Sequence, residues 1–279
     1  MVIVNPVSRM SYYMDERLRR NIDNTIIPAL SKSKDEDYVI VIDGKERTGK
    51  STFGFQISKY IDPSFNLNRV CFNPDEFRHA IINADSRQVV VYDEAYRGLG
   101  STSALSEVNK ILKGMMMEMG QKNLCVIVIL PTFYLLEKYV ALWRARCLIH
   151  LYRKKKAKGF WRLYNSRKKQ ELYLNPLGKR NYSYNHVKTN FRGKFTKYYT
   201  IDEQEYRLKK DKAFKEGYKR TKPENYMEQR NKIIYFLYKN HYKSLRTLSN
   251  ELKLMGVQLN FKAIGDIIDK FEETSLKSV

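Results

Sequence analysis

The sequence predicts an α/β protein whose core is a mostly parallel five-stranded sheet between helices. At 279 residues, with 43% apolar side chains, the chain can form one sizeable core and a smaller second part. Short unbroken apolar runs alternate with helical patterns, which is typical of strands buried on both faces of a parallel sheet. The predicted strands are YVIVID (38–43), RVCF (69–72), QVVVYD (88–93), LCVIVIL (124–130) and RCLIHLY (146–152).

Changes in composition divide the chain into four predicted parts. A lead-in helix is predicted at about 15–30, near the N-terminus, and a charged helix is predicted at about 202–220. LIHLYRKKKAKGFWRLYN (148–165) is predicted to form two strands that turn through the basic run at 153–158 and Gly159, and KKQELYLN (168–175) to extend them into a small basic β-ribbon. The parts are a lead-in segment (1–36), an α/β domain that ends in the β-ribbon (37–175), a basic connector (176–222) and a small all-α domain of three helices (223–279).

Positive charge is concentrated in one part of the chain. The formal net charge is +22, and residues 151–222 hold 23 Lys/Arg against 6 Asp/Glu, so they carry 23 − 6 = +17 of it. Basic groups that displace condensed counterions gain affinity for nucleic acid, so this excess predicts DNA as a partner. A solvated lysine-rich surface and an anionic membrane surface are the alternatives.

The apolar segments and the cysteines indicate a protein without stable membrane insertion and with a cytoplasmic location. The longest apolar run, LCVIVILPTFYLL (124–136), is too short to span a bilayer and contains a proline. The sequence does not open with a signal peptide pattern. Cys71, Cys125 and Cys147 lie in apolar stretches without the spacing of metal ligands, so we expect reduced core thiols.

The segment GKERTGKS (44–51), here called the glycine loop, fits the pattern G-x-x-x-x-G-K-[ST] between a strand and a helix. Glycines let the backbone curl so that its N–H groups face phosphate oxygens, and the helix N-terminus points at the same anion. Lys50 would reach the β- and γ-phosphates and Ser51 would hold Mg²⁺. The loop therefore predicts a P-loop NTPase core with ATP and Mg²⁺ as cofactors. The predicted nucleotide-binding residues are Gly44, Lys45, Glu46, Arg47, Thr48, Gly49, Lys50, Ser51 and Thr52.

The third predicted strand ends in two acids, Asp93 and Glu94. Behind a phosphate-binding loop, Asp93 would hold the Mg²⁺ shell and Glu94 would polarise a water for in-line attack on the γ-phosphate. Helix capping is the structural alternative for such a pair. A second acid favours hydrolysis over phosphoryl transfer to an acceptor, since a kinase must exclude water.

Four further residues are candidates to sense or stabilise the γ-phosphate. Thr132 follows the strand 124–130 and would act as a sensor, or else begin the next helix. That helix is predicted at about 133–144 and leads to Arg144 and Arg146. Either arginine could act in trans on the site of a neighbouring subunit, or be an ordinary surface arginine. Arg97 is a weaker candidate.

Taken in order, IDGKERTGKST, VVVYDEAYRG and NLCVIVILPTFYLLEKYVALWRARCLIHLY resemble the zonular occludens toxin-like group of P-loop ATPases over about the first 175 residues. That group comprises phage, plasmid and viral proteins related to the FtsK/HerA DNA-pumping branch. The resemblance implies an ATP-driven motor on DNA that forms a homo-oligomeric ring, with Lys50, Ser51, Asp93 and Glu94 in the motifs. The sequence shows no transmembrane helix, which the membrane-anchored assembly members of the group have, so a soluble genome-packaging or DNA-transfer ATPase fits better than a phage-extrusion protein, in the host cytoplasm if the chain is viral.

Two segments are predicted to contact DNA. In RKKKAKGFWRLYNSRKK (153–169), here called the basic ribbon, lysines would neutralise phosphates and aromatic rings would stack on bases or pack on the core. The last part resembles a helix-turn-helix, with NFKAIGDIIDKF as the groove-binding helix, although a protein-docking module fits the same pattern. The predicted DNA contacts are Arg153, Lys154, Lys155, Lys156, Lys158, Trp161, Arg162, Lys168, Lys169, Asn260 and Lys262.

The sequence thus predicts a Mg²⁺-dependent ATPase that translocates, packages or remodels DNA. A DNA-binding replication or transposition regulator that is switched by ATP and translocates nothing is the first alternative. A small-molecule kinase with a nucleic-acid-binding tail is the second alternative.

Overall fold

A computed structural model describes residues 2–4, 12–93, 113–114, 122–155, 157–217, 222–242 and 244–276 of the chain. Two compact units divide it at residue 217, Met1–Gly217 and Tyr218–Val279. The division falls inside the predicted connector.

The first unit contains a seven-stranded sheet with the strand order β4-β5-β6-β3-β7-β8-β9. Strands β4 to β7 pair in parallel, and the last two pairings, β7 with β8 and β8 with β9, are antiparallel. The α/β class is therefore confirmed. The strands are β3 (Tyr38–Gly44), β4 (Val70–Cys71), β5 (Val89–Tyr92), β6 (Cys125–Leu130), β7 (Ala145–Lys154), β8 (Ala157–Asn165) and β9 (Phe191–Lys194).

The parallel part contains the five predicted strands, and the antiparallel part extends the same sheet. The predicted strand pair that turns through the basic run is confirmed as β7 and β8, and it belongs to this sheet, because β8 pairs along most of β7 from Cys147 to Lys154. The extension of the ribbon through 168–175 was wrong. These residues lie in helix α5 (Ser166–Leu174), where Asn165 accepts a hydrogen bond from the Lys168 backbone N–H at 3.1 Å and caps the helix.

Both faces of the parallel sheet are buried, as the unbroken apolar runs predict. On β3, Val39 and Val41 pack with the helix α4 (Pro74–Asn83) on one face. Ile40 and Ile42 pack with the helix α3 (Lys50–Ile61) on the other. Alternate strand residues point to opposite faces, so a strand covered on both sides needs apolar residues at every position.

The N-terminal residues pack on the face of the sheet that α3 covers. A short hairpin of β1 (Val2–Val4) and β2 (Tyr12–Met14) precedes the predicted lead-in helix. That helix forms as α1 (Glu16–Asn21), a π-helical turn (Ile22–Ile26) and α2 (Ile27–Ala29). Its apolar residues Leu18, Ile22 and Ile26 are buried in the same cluster as α3, so this segment is part of the first unit's core.

The described part of the first unit also contains a 3₁₀ turn (Leu67–Arg69), two further helices and two irregular helical segments. The helix predicted at about 133–144 forms two separate turns, a 3₁₀ turn (Phe133–Leu135) and a π-helical turn (Val140–Arg144). The helices are α6 (Pro176–Asn181) and α7 (Glu203–Gly217), and the second of these confirms the charged helix predicted at about 202–220.

The described part of the second unit contains the helices α8 (Lys222–Asn240), α9 (Leu245–Leu254) and α10 (Phe261–Leu276). Their shared core consists of Ile234, Leu248, Leu252, Ile264 and Ile268. Asn260 caps α10 by accepting a hydrogen bond from the Ala263 backbone N–H at 2.8 Å.

Three cysteines are buried and free, as predicted, at positions 71, 125 and 147. Desolvation by burial raises the pKa of the thiols of Cys71 and Cys147 to about 12, so these groups stay uncharged at neutral pH. Within the described ranges, no helix combines the length and apolar character required to cross a bilayer.

Replacement of Gly44 by alanine tests how tightly the end of β3 is packed. Gly44 has φ = +142°, and a Cβ atom there would lie 2.3 Å from the backbone oxygen of Leu151 on β7. We expect Gly44→Ala to lower the free energy of unfolding by about 2–5 kcal/mol, because backbone strain and overpacking add.

Urea unfolding followed by tryptophan fluorescence measures this effect, since both tryptophans, Trp143 and Trp161, lie in the first unit. Gly265→Ala is the control, because its Cβ would meet Leu245 at an ordinary 3.6 Å in the second unit. An unchanged midpoint for Gly44→Ala would show that the close contact is absent.

Candidate functional site

The glycine loop leads from the carboxyl end of β3 into the N-terminus of α3. Gly44, Arg47 and Gly49 have positive φ values of 142°, 58° and 95°, so the backbone curls tightly between the two elements. The Lys50 ammonium donates hydrogen bonds to the carbonyl oxygens of Gly44 at 2.6 Å and Lys45 at 3.0 Å. The lysine therefore lies within the curl of the loop.

A cleft of about 620 Å³ opens beside the loop. Residues 46–52, Asp93, Leu130 and Pro131 line it together with side chains of α7 and Tyr199. The loop and Asp93 come from strands β3 and β5, which are separated in the sheet by β6. Because the carboxyl ends of parallel strands meet at one edge, the two motifs face one cleft, where ligands bind in open α/β sheets.

Asp93 is completely buried at the edge of this cleft. Its Oδ2 accepts a hydrogen bond from the Tyr206 hydroxyl at 2.6 Å and lies 3.6 Å from the Lys210 ammonium. Its Oδ1 is buried with no hydrogen-bond partner among the described residues. A buried carboxylate oxygen without a donor suits a cation, and oxygen atoms are the ligands that Mg²⁺ prefers.

The residues present thus fit the predicted metal. Ser51, in the first turn of α3, lines the same cleft as Asp93, and its hydroxyl oxygen is the second ligand that the prediction requires. Thr48 and Thr52 are buried, and the Thr48 hydroxyl donates to the Lys45 carbonyl at 2.8 Å, which holds the loop closed.

Helix α7 contributes side chains that the sequence reasoning missed. Tyr206, Arg207, Lys210 and Asp211 line the cleft, and their spacing places them on one face of the helix. The helix itself was predicted, but it was placed in the basic connector and given no part in the nucleotide site. The helical spacing of these four residues is visible in the sequence. Their contact with Asp93 is not, because Asp93 and Tyr206 are 113 residues apart in the chain.

Thr132 belongs to a second polar cluster under the loop. The carboxylate of Asp43 is completely buried and accepts hydrogen bonds from the Phe133 backbone N–H at 2.7 Å and from the Tyr184 hydroxyl. The same carboxylate lies 2.8 Å from the ring nitrogen Nδ1 of His150. The Thr132 hydroxyl lies 2.9 Å from that of Tyr184. Thr132 therefore joins a network that ties β3, β6 and β7 together, and the described lining of the cleft does not include it.

This cluster is strongly desolvated. Burial, followed by the charge of Asp43, raises the pKa of the Tyr184 hydroxyl far above its ordinary value. The Tyr184 ring stacks on His150 with 3.7 Å between ring centroids. Tyr184 therefore stays protonated and donates to Asp43, which fixes the polar groups directly beneath the glycine loop.

The two arginines predicted near the γ-phosphate lie at the opposite end of the parallel strands. Arg144 forms an ion pair with Asp37, and Arg146 pairs with Glu36 at 3.1 Å. Both acids precede β3, whose seven residues span roughly 20 Å before the glycine loop begins. Neither arginine reaches the cleft of its own chain, so any role would be toward another subunit. Glu94 and Arg97 lie outside the described residues.

Part of the basic ribbon is exposed, and part contacts the glycine loop. The side chains of Lys154, Lys155 and Lys158 are exposed near the β7–β8 turn. Arg153 is also exposed, and its guanidinium donates to the backbone oxygens of Glu46 at 3.4 Å and Arg47 at 3.2 Å. The ribbon and the loop are thus in direct contact. Lys156 lies outside the described residues.

Two residues predicted to contact DNA are buried instead. The Trp161 ring is 0% exposed, and its indole N–H donates to the Lys194 carbonyl at 3.2 Å. Lys169 is also 0% exposed, and its ammonium bonds to the carbonyl oxygens of Ala141 and Leu142. Desolvation lowers the pKa of Lys169 to about 8. Neither side chain can reach a base or a phosphate, so these two predictions were wrong.

The remaining predicted contacts are partly or fully accessible. Arg162 donates to the Asn185 side chain at 3.1 Å, and Lys168 donates to the Thr189 carbonyl at 3.2 Å; both are half-buried. In the second unit, Asn260 and Lys262 are exposed at the start of α10. Their contact with DNA stays a prediction.

Comparisons with known proteins do not assign this chain to a family. No protein-family model matches the sequence, and no curated protein matches it.

Proposed function

We propose that this chain is a Mg²⁺-dependent ATPase that acts on DNA. One observation carries the proposal: the glycine loop, with Lys50 inside its curl, and the buried carboxylate of Asp93 line one cleft. This is the arrangement that ATP hydrolysis requires, because the phosphates and the metal must be held against each other. The sequence motifs that resemble those of the zonular occludens toxin-like ATPases are a second, weaker support for the proposal.

The chain's own residues would divide the work as follows. Backbone N–H groups of residues 44–51 and the N-terminus of α3 would bind the phosphates, and the Lys50 ammonium would exchange the carbonyl oxygens of Gly44 and Lys45 for phosphate oxygens. Ser51 and Asp93 would hold Mg²⁺, which neutralises charge on the β- and γ-phosphates when bound. Glu94 would orient and deprotonate the attacking water.

The basic ribbon supports DNA as the polymer on which the ATPase acts. Exposed lysines at its tip would contact phosphates, and Arg153 connects the same hairpin to the glycine loop. Movement of the loop during a nucleotide cycle could thus reach the DNA-binding surface through one side chain. We further propose a homo-oligomeric ring that translocates or packages DNA, as the resemblance implies.

Replacement of Lys50 by alanine tests the nucleotide site. We expect Lys50→Ala to lower the DNA-stimulated ATPase rate by about 10²–10³-fold, because a preorganised cation at the developing phosphate charge is lost. Release of inorganic phosphate, measured with and without single- and double-stranded DNA, gives this rate.

Lys32→Ala is the control, because Lys32 is an exposed lysine in the loop before β3 and away from the cleft. Equal rates for Lys50→Ala and the parent protein would contradict the assignment. Slow hydrolysis with DNA binding but no strand movement would favour a nucleotide-switched regulator, and transfer of the γ-phosphate to an acceptor would favour a kinase.

Removal of the exposed ribbon lysines tests DNA binding. We expect the triple variant Lys154→Ala, Lys155→Ala and Lys158→Ala to reduce the slope of log K against log salt concentration for duplex DNA. The reduction should be about 1 per lysine that contacts a phosphate, so up to about 3 in total. Fluorescence anisotropy of a labelled duplex at several salt concentrations measures the slope.

A control with the same loss of charge separates local contact from net charge. Lys32, Lys34 and Lys138 are exposed lysines of the same unit outside the basic ribbon, and their triple alanine variant should keep most of the slope. Equal reductions in the two triple variants would show that the basic ribbon is not the binding surface.

A further inference from the structure

Helix α7 covers the carboxylate to which the proposed function assigns Mg²⁺. Tyr206 and Lys210 lie one turn apart on the helix and both reach Asp93 Oδ2. The Lys210 ammonium also donates to the Tyr206 hydroxyl oxygen at 2.9 Å. The three side chains therefore form a connected chain that ends at the metal-ligating residue.

The direction of these hydrogen bonds follows from the donors. An ammonium has no acceptor, so the Tyr206 oxygen accepts from Lys210 and must donate its own proton to Asp93. That donation fixes Oδ2 and the plane of the carboxylate. Oδ1 then remains buried without a hydrogen-bond partner among the described residues. Partners of this kind orient metal-ligating carboxylates and are worth about 10–100-fold in metal affinity.

Helix α7 is held in place from two sides. Before the helix, the Gln56 side chain of α3 donates to the carbonyl oxygens of Thr196 and Tyr198, both at 2.8 Å. On the helix, Lys209 donates to the carbonyl oxygens of Leu67 at 3.2 Å and Val70 at 2.6 Å. These contacts join α7 to α3 and to the edge of the sheet, so Tyr206 approaches Asp93 from a fixed position.

The Tyr206 ring is itself packed. It is 4% exposed and makes an edge-to-face contact with Phe55, with 5.0 Å between ring centroids, and a tilted contact with Phe72 at 5.9 Å. The contact with Asp93 is made by the hydroxyl of Tyr206. Removal of that one oxygen therefore tests its role while the ring keeps its packing.

We propose that Tyr206 is a positioning residue for the Mg²⁺ site, which holds Asp93 Oδ2 so that Oδ1 faces the metal of a bound Mg²⁺–ATP. Helix α7, located after the basic ribbon, is then part of the nucleotide site and not a connector. The inference rests on the proposed function, because it assigns a partner to the metal ligand of the same cleft.

Binding of a non-hydrolysable ATP analogue to the full chain tests the proposal without turnover. Titration calorimetry in EDTA and over a range of Mg²⁺ concentrations gives the apparent Mg²⁺ affinity of the complex. We expect Tyr206→Phe to weaken that affinity about 10–100-fold and to leave binding in EDTA unchanged. Equal binding in EDTA also verifies that the variant is folded.

Two comparisons make the result specific. Tyr198→Phe is the control, because the Tyr198 ring stacks on Tyr12 and Tyr198 is not among the residues that line the cleft. In an Asp93→Asn background, Tyr206→Phe should have no further effect on Mg²⁺ dependence, since both changes act on one group.

The outcomes separate this inference from the proposed function. An apparent Mg²⁺ affinity of Tyr206→Phe equal to that of the parent protein, or an additive effect on top of Asp93→Asn, would overturn the positioning role. A parent protein that does not bind the analogue in the presence of Mg²⁺ would overturn the proposed function itself.

Discussion

The sharp turn from β3 into α3 is the constraint on which the rest of the candidate site depends. At Gly44 the backbone passes so close to β7 that even a Cβ atom would meet the Leu151 carbonyl oxygen. Because β3 lies between β6 and β7, this turn occurs at the centre of the carboxyl edge of the sheet. The polar groups that contact one another across the cleft reach this point from other elements: Asp93 from the end of β5, and Tyr206 and Lys210 from α7.

Two buried carboxylates support the turn in different ways. Asp43 is fully engaged, because the Phe133 backbone N–H, the Tyr184 hydroxyl and His150 all contact it. These contacts fix the residue that directly precedes the glycine loop. Asp93 is only half engaged, since Tyr206 and Lys210 both approach its Oδ2. The contrast separates a structural carboxylate from one that can accept a ligand, a distinction that rests on the burial and hydrogen bonding of each oxygen.

The parts that the sequence predicted are those fixed by local patterns. Unbroken apolar runs gave the five parallel strands, and the spacing of Gly44, Gly49, Lys50 and Ser51 gave the loop, since strand burial and loop curvature depend on neighbouring residues. The parts that it missed depend on distant contacts. Trp161 and Lys169 looked like surface residues in a basic segment, but the pairing of β8 with β9 and the packing of α5 bury them. The contact of α7 with Asp93 is equally distant in the chain.

The central claim is that the cleft beside the glycine loop binds Mg²⁺–ATP. Hydrogen–deuterium exchange of the full chain, measured with and without a non-hydrolysable ATP analogue and Mg²⁺, locates the bound nucleotide most directly. We expect slower exchange in peptides that cover residues 44–52 and 203–211, because these segments line the cleft. Unchanged exchange in 44–52, or protection confined to other parts of the chain, would contradict the account.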